Sequence, residues 1–284
     1  MLSFLPRSLV EFCSLFQWVP VDVQSSLLKK FIHRRVLRRS RVIATYSRLS
    51  EVQLRKDFPR VPVCWIGHFI DTVYFDPLKA SEPSVRGDYM LVVGCHKRHE
   101  DVIREIASRS GERIVRVSAD PATAEYHRQN PCSNVTVLTS VEFSELRNLY
   151  HRASIALNVV DDALWPVGIT SFCEALAMDR PIVTPAGHSC SGYEFEDGSR
   201  PYETVQDSRC VDQWLTAIRK VRQRRSALPG RSTRDLAVRL CSFDAVAAGW
   251  RRVLQVVEQG ALLQHPESAQ PVSNSNPTLP AGRR

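Results

Sequence analysis

With 284 residues, 43% hydrophobic and 24% charged, the chain has the composition of an ordinary globular protein, which excludes collagen, coiled coil and wholesale disorder. Its 38 Lys and Arg against 30 Asp and Glu leave a formal charge of +8, which favours anionic partners such as phosphates, acidic lipid or nucleic acid without choosing among them. Eight cysteines, at 13, 64, 95, 132, 173, 190, 210 and 241, include no C-x-x-C pair, so they read as reduced thiols of a cytosolic protein rather than as a zinc ribbon, a redox motif or a disulfide scaffold.

The first twenty residues are apolar but interrupted by Pro6, Arg7 and Glu11, and no small-residue cleavage site follows them. No other stretch approaches the roughly 18 apolar residues of a membrane span. The expectation is a soluble cytoplasmic chain that at most lies on the inner membrane face. Up to residue 78 the pattern predicts a helix over Ser25–Arg39, a strand over Val42–Tyr46, a helix starting near Ser50 and a strand over Val61–Ile66. This is too little for a complete α/β domain. Residues 29–41, KKFIHRRVLRRSR, hold seven Lys and Arg, with Leu28, Phe31, Ile32 and Val36 available as an apolar face. Such a helix fits an anionic membrane surface, and equally a solvated face packed on its own domain. Without interleaved aromatics or a recognition motif, nucleic acid is not the expected partner.

From 79 to 262 short apolar runs alternate with amphipathic stretches, the pattern of parallel strands joined by crossover helices. Strands are predicted over Tyr89–Gly94, Ile114–Ser118, Val135–Leu138, Ile155–Val160 and Pro181–Thr184, and helices over Glu100–Ser108, Ala122–Arg128, Phe143–Arg152, Thr170–Met178, Val211–Arg222 and Phe243–Glu258. Buried parallel strands need helices on both faces, so the fold class is α/β, with a doubly wound, Rossmann-like sheet. Ligands of such sheets sit outside the carboxyl ends of the strands, at the turns after Gly94, Ser118, Val160 and Thr184. Residues 263–284 carry four prolines and little to bury, and are expected to be a disordered tail.

The most informative segment is Leu164–Pro185, LWPVGITSFCEALAMDRPIVTP, where a glycine turn runs into a helix and then into a buried strand. Gly168 permits close backbone approach, and the amides of Ile169, Thr170 and Ser171 face whatever anion sits at the helix start. Glu174, one turn in, is placed for a ligand hydroxyl. The same S-x-x-E spacing of Ser171 and Glu174 fits a capping box, and the residues alone leave both readings open.

Here the sequence resembles the family-4 glycosyltransferases, enzymes of the GT-B architecture with two facing Rossmann-like domains. Their C-terminal run E-x-x-G-x-x-x-x-E-A-x-A-x-G-x-P-V-V is met in order by Gly168, Glu174, Ala175, Ala177, Pro181, Ile182 and Val183. GHFIDTVYFDP, with Gly67, Asp71, Phe75 and Pro77, resembles the family's passage between domains. LVVGCHKRHEDVIREIA resembles its strand, basic loop and helix, and NVTVLTSVEFSELRNLYHRASIALNVV its stretch leading to "l..lY..a". The likeness covers residues 40–260.

The resemblance implies transfer of a sugar, of hexosyl type, from a nucleoside diphosphate sugar with retention, in polysaccharide or glycoconjugate synthesis. It makes residues 1–78 a partial acceptor-side domain and 79–262 the nucleotide-sugar domain. Glu174 would bond the ribose, Gly168, Ile169 and Thr170 would offer amides to the donor with Gly94 and Ser171 beside them, and Lys97 or Arg98 would neutralise the departing diphosphate. Fixed cations and amides stabilise that leaving group without a metal, so no cofactor is expected. The acceptor, whether sugar, lipid-linked or small molecule, is not named by the residues. Two departures stand out. The family's first acid, eight positions before Glu174, is Pro166, and most of the N-terminal domain is missing, which points to a protein partner or to a donor-binding module. Cys95, His96, His99 and Glu100 cluster in one loop but supply too few converging ligands for a metal. Asp161 and Asp162 read as a solvated turn or an acid pair. His188, Ser189 and Cys190 follow a strand end without a paired base that would make a nucleophile.

Overall fold

The computed structural model describes residues 13–16, 27–95, 98–161, 166–227 and 232–264. Two parallel sheets organise them. The smaller has the order β1-β2-β3, from β1 (Cys13–Phe16), β2 (Val42–Thr45) and β3 (Val63–Trp65), linked by α1 (Leu27–Arg39) and α2 (Arg48–Asp57). The strand β1 was not expected from the sequence. Alternation along β2 gives each face its own cover. Ile43 packs with Leu37 of α1 and with Leu54 of α2, while Val42 and Ala44 meet Val253 of the last helix.

In α1 Leu37 is buried, whereas Phe31 is 56% exposed on the side that also carries the exposed Arg34 and Arg38. Among the described residues no helix is long and apolar enough to cross a membrane.

The larger sheet has six parallel strands in the order β6-β5-β4-β7-β8-β9. They are β4 (Met90–Val93), β5 (Ile114–Val117), β6 (Val135–Leu138), β7 (Ile155–Leu157), β8 (Ile182–Pro185) and β9 (Tyr202–Val205). The crossover helices are α3 (Glu100–Ser110), α4 (Pro121–Gln129), α5 (Phe143–Arg152), α6 (Ile169–Ala177) and α7 (Val211–Ala227). Alternate residues of each strand serve opposite layers. Leu91, Val115, Ala156 and Ile182 join α5 and α6 through Leu149, Phe172 and Leu176. Met90, Val92, Ile155 and Val183 join α3 and α7 through Ile103, Ile106 and the fully buried Trp214. This is the doubly wound α/β class the sequence predicts.

Besides β1, the sequence reading omits β9 and α8 (Thr233–Cys241), which packs on α6. The final helix α9 (Phe243–Gln264) returns to the small sheet and runs past residue 263, where the tail was expected to start. Residues 265–284 lie outside the described residues. Asp179, at the glycine place of the motif, is left-handed with φ 53°, and its carboxylate accepts from the Thr233 amide at 2.8 Å at the start of α8.

Candidate functional site

The chain winds from β4 outward to β6, then returns to β7 on the other side of β4, so the topological switch lies between β4 and β7. The turns leaving these two strands meet there. Arg98 and Val160 form an isolated antiparallel bridge, and the His99 amide donates to the Val159 carbonyl at 3.3 Å. Gly94 follows β4 with φ 114°, and a Cβ on it would lie 2.6 Å from Nη2 of Arg98. The guanidinium therefore fills the space beside the glycine. It donates to the Val93 carbonyl from Nε at 3.0 Å and from Nη2 at 2.5 Å, and Nη2 also reaches Ser171 Oγ at 3.0 Å. Burial, together with the nearby Arg116, lowers its pKa to about 10, so it stays a cation at neutral pH.

On the other wall stands the amino end of α6. Gly168 is the N-cap, left-handed with φ 79°, and a Cβ there would fall 2.2 Å from Asn158 Oδ1. Asn158, buried just after β7, donates to Thr184 Oγ1 at 3.2 Å and accepts from Ser171 Oγ at 3.3 Å. The two strand ends and the helix start are thus tied by side chains. The Ile169 amide donates to the Pro166 carbonyl at 3.3 Å, which removes one of the three amides expected to face a ligand. Helix geometry leaves the first-turn amides of Thr170 and Ser171 without an intrahelical acceptor, and they lie where a bound anion gains from the helix dipole.

The capping-box reading of Ser171 and Glu174 is overturned, since α6 starts at Gly168 with no side-chain cap and both residues lie inside the helix. Ser171 Oγ turns back onto the Gly168 carbonyl at 3.0 Å. Glu174 is only 6% exposed, and its Oε2 accepts from the buried Tyr150 hydroxyl at 2.9 Å. Burial pushes this carboxyl up to about 7, against the opposing pull of the Tyr150 bond and the Arg98 charge.

His68, between the two sheets, brings its Nε2 to 3.0 Å from Thr170 Oγ1, and burial lowers it to about 4, so the ring is neutral. His188, after β8, has Nδ1 2.9 Å from Ser50 Oγ, which joins the β8 turn to the start of α2. Asn158, Tyr150 and His68 went unassigned in the sequence. An asparagine inside the apolar run IALNVV was the one local signal among them.

Of the predicted site residues, Gly94, Arg98, Gly168, Ile169, Thr170, Ser171 and Glu174 come together here. Lys97 lies outside the described residues, as do His96 and Asp162. Glu100 turns away to Arg116 and His127, bonding them at 2.7 and 3.0 Å, and His99 Nε2 lies 3.3 Å from Ser208 Oγ. Asp161 is exposed, and Ser189 and Cys190 are buried. A cavity of about 590 Å³ lies at the opposite end of the sheet, lined by Pro181, Tyr202, Arg224 and Thr233. Parallel sheets bind at the carboxyl ends of their strands, so the crevice beside β4 and β7 is the better candidate.

No protein-family model matches the chain, and no curated protein sequence does. Solved structures match its fold. A sucrose-phosphate synthase from Thermosynechococcus elongatus is similar with a TM-score of 0.65 at 15% identity, over 87% of this chain and 68% of that one. HepE from Anabaena, in complex with UDP and glucose, gives 0.64 at 10%, over 87% and 71%. A glycosyltransferase from Rickettsia africae gives 0.62 at 12%, over 87% and 70%. At such identities the likeness is one of fold, the α/β architecture of GT-B glycosyltransferases.

Proposed function

We propose that the chain is a glycosyltransferase of the family-4 kind, which moves a sugar, of hexosyl type, from a nucleoside diphosphate sugar to an acceptor with retention. The observation that carries this reading is the crevice at the switch point, where a left-handed glycine opens α6 opposite a half-buried arginine on the β4 turn. In it the Thr170 and Ser171 amides and Arg98 hold the diphosphate. Their positive field stabilises the charge that grows on it as the glycosidic bond breaks. To Lys97, the sequence neighbour of Arg98, we assign the second cation. Glu174 takes the ribose, and a carboxyl poised near neutrality can donate to one hydroxyl and accept from another. HepE has been seen with UDP and with UDP-glucose, so uridine donors are the first to test.

A second reading is a donor-binding module that needs a partner chain to complete the acceptor side. Pro166 at the family's acid position and the three-stranded small sheet favour it. In either case α1 presents Phe31, Arg34 and Arg38 outward, the side we assign to contact with an anionic inner-membrane face.

The test is thermal unfolding with UDP, GDP, ADP and dTDP, for wild type and Glu174→Ala. A ligand at about a hundredfold its Kd adds roughly 2.7 kcal/mol, a shift of several degrees. Stabilisation by one nucleotide that is lost in the variant supports the donor site, and no shift with any of them refutes it. Turnover that appears only after a second polypeptide is added selects the module.

A further inference from the structure

A second cavity, about 480 Å³, opens at the free edge of β3, between α2, the end of α8 and α9. Its volume falls within the roughly 300–1,000 Å³ of ligand-sized clefts. Four arginines line it, Arg48, Arg55, Arg239 and Arg252, and among the described lining residues Glu51 is the sole acid. We infer that this cavity is a binding site for a phosphate- or diphosphate-bearing ligand, separate from the crevice at the switch point.

Charge pairing makes the case. Arg48 Nη1 and Arg55 Nη2 donate to the two oxygens of the same Glu51 carboxylate, at 2.7 and 2.8 Å. One carboxylate neutralises one of the two. Arg239 pairs at 3.2 Å with Glu196, which is 86% exposed and points to solvent outside the cavity. Arg252 has the Trp65 carbonyl at 3.3 Å as its partner and, among the described residues, no carboxylate. Four guanidiniums thus surround the space against one buried acid, an imbalance that an incoming anion relieves.

The arginines are also held in place. Arg48 lies 4.2 Å over the Trp65 ring, and Arg55 donates to the Val63 carbonyl at 3.0 Å. Arg55 and Arg252 together cover the exposed edge of β3, which is reason enough for two of them. It does not account for Arg48 and Arg239 facing the same space. Guanidinium forks arriving from three helices match the several oxygens of a phosphate better than the planar pair of a carboxylate. The half-buried Cys64 thiol, which lines the same cavity, is held above its ordinary range by burial and by Glu51, against the opposing charges of Arg252 and Arg55. A soluble phosphate ester and a lipid headgroup share this chemistry.

The test is calorimetric titration of the whole chain with inorganic pyrophosphate, with and without saturating UDP, for wild type, Arg252→Gln and the Arg239→Gln/Arg252→Gln pair. The expected result is one saturable site in the presence of saturating UDP, weakened about tenfold by the single change and about a hundredfold by the double one, at one charge-assisted hydrogen bond each. Pyrophosphate is also expected to slow alkylation of Cys64 by N-ethylmaleimide in wild type and not in the double variant, whose unliganded thermal midpoint stays at the wild-type value. Glycerol 3-phosphate and vesicles containing phosphatidic acid then name the source of the ligand by which binds tighter. The inference fails if pyrophosphate does not bind, if UDP displaces it, or if the double variant binds as wild type does. None of these outcomes depends on glycosyl transfer.

Discussion

Replacing Glu174 with glutamine should change how stability depends on pH, in a direction fixed by its surroundings. Burial in the α6 layer raises the carboxyl from its ordinary 4.5 to about 7. In the unfolded chain it ionises above about 4.5, while in the folded chain it keeps its proton until about 7, so folded stability falls as pH rises through this window and levels off above it. At about 1.4 kcal/mol per pH unit the loss is about 3 kcal/mol. Glutamine does not titrate, and its amide oxygen still accepts from Tyr150. Below pH 4.5 the variant should match wild type, and by pH 8 it should be the more stable by about 3 kcal/mol, several degrees of midpoint for a chain of this size. The assay is urea unfolding followed by circular dichroism at half-unit steps from pH 4.5 to 8.5. Every other titrating group is common to both proteins and cancels in the difference. A difference that stays flat across the series would refute the reasoning, because it would mean that Glu174 is ionised and solvated in the folded chain.

Three further outcomes follow from neighbouring geometry. Gly168→Ala forces a side chain into the left-handed N-cap and onto Asn158, so we expect roughly 2–4 kcal/mol of destabilisation and loss of the nucleotide-induced thermal shift; an unchanged midpoint would show that the α6 turn is not closed as described. Glu100→Gln strands the fully buried Arg116 without its carboxylate, at an expected cost of about 3–5 kcal/mol by chemical denaturation. Although burial alone would raise Glu100, bonds from His127 and Arg116 hold it at about 2, so its stabilisation is present above about pH 4.5 and is lost as pH falls towards 2, an acid limb that the variant should lack. Asp179→Gly keeps the backbone but removes the carboxylate that accepts from Ser232 and Thr233, whereas Asp179→Ala loses both. Glycine should cost about 1 kcal/mol and alanine about 1–2 more, and thermal midpoints in the reverse order would disprove the division.

What could be seen in the sequence follows burial. The strands β4, β7 and β8 are covered on both faces and appear as unbroken apolar runs, and their helices fall within a few residues of expectation. The edge strand β9, YETV, buries Tyr202 in one layer and Val205 in the other but leaves Glu203 and Thr204 half-buried, with Glu203 paired to Arg224, so its polar letters hid it. At the site, the Gly168, Ser171 and Glu174 spacing was visible but its meaning was not. A capping box and a ligand-facing first turn differ only in where the helix begins, and that point is set by Asn158, thirteen residues back from Ser171 in the chain. Likewise the Tyr150 bond to Glu174 spans 24 residues and the His68 contact with Thr170 spans 102, distances that local patterns do not report.

Asp179 shows how a departure from a family pattern can be explained by an element that the pattern does not mention. The motif has glycine at this place because the chain must turn left-handed between α6 and β8, a conformation most side chains resist. Aspartate tolerates it better than other residues, at a cost that needs an offset. The offset is α8, whose first amides and hydroxyls converge on Asp179 Oδ1 from Ser232, Thr233 and Arg234. Because α8 was not read from the sequence, the substitution had no visible reason. Once the helix is in place, the same carboxylate ties the end of α6 to α8, and it thereby fixes the helix that carries Glu174 from behind.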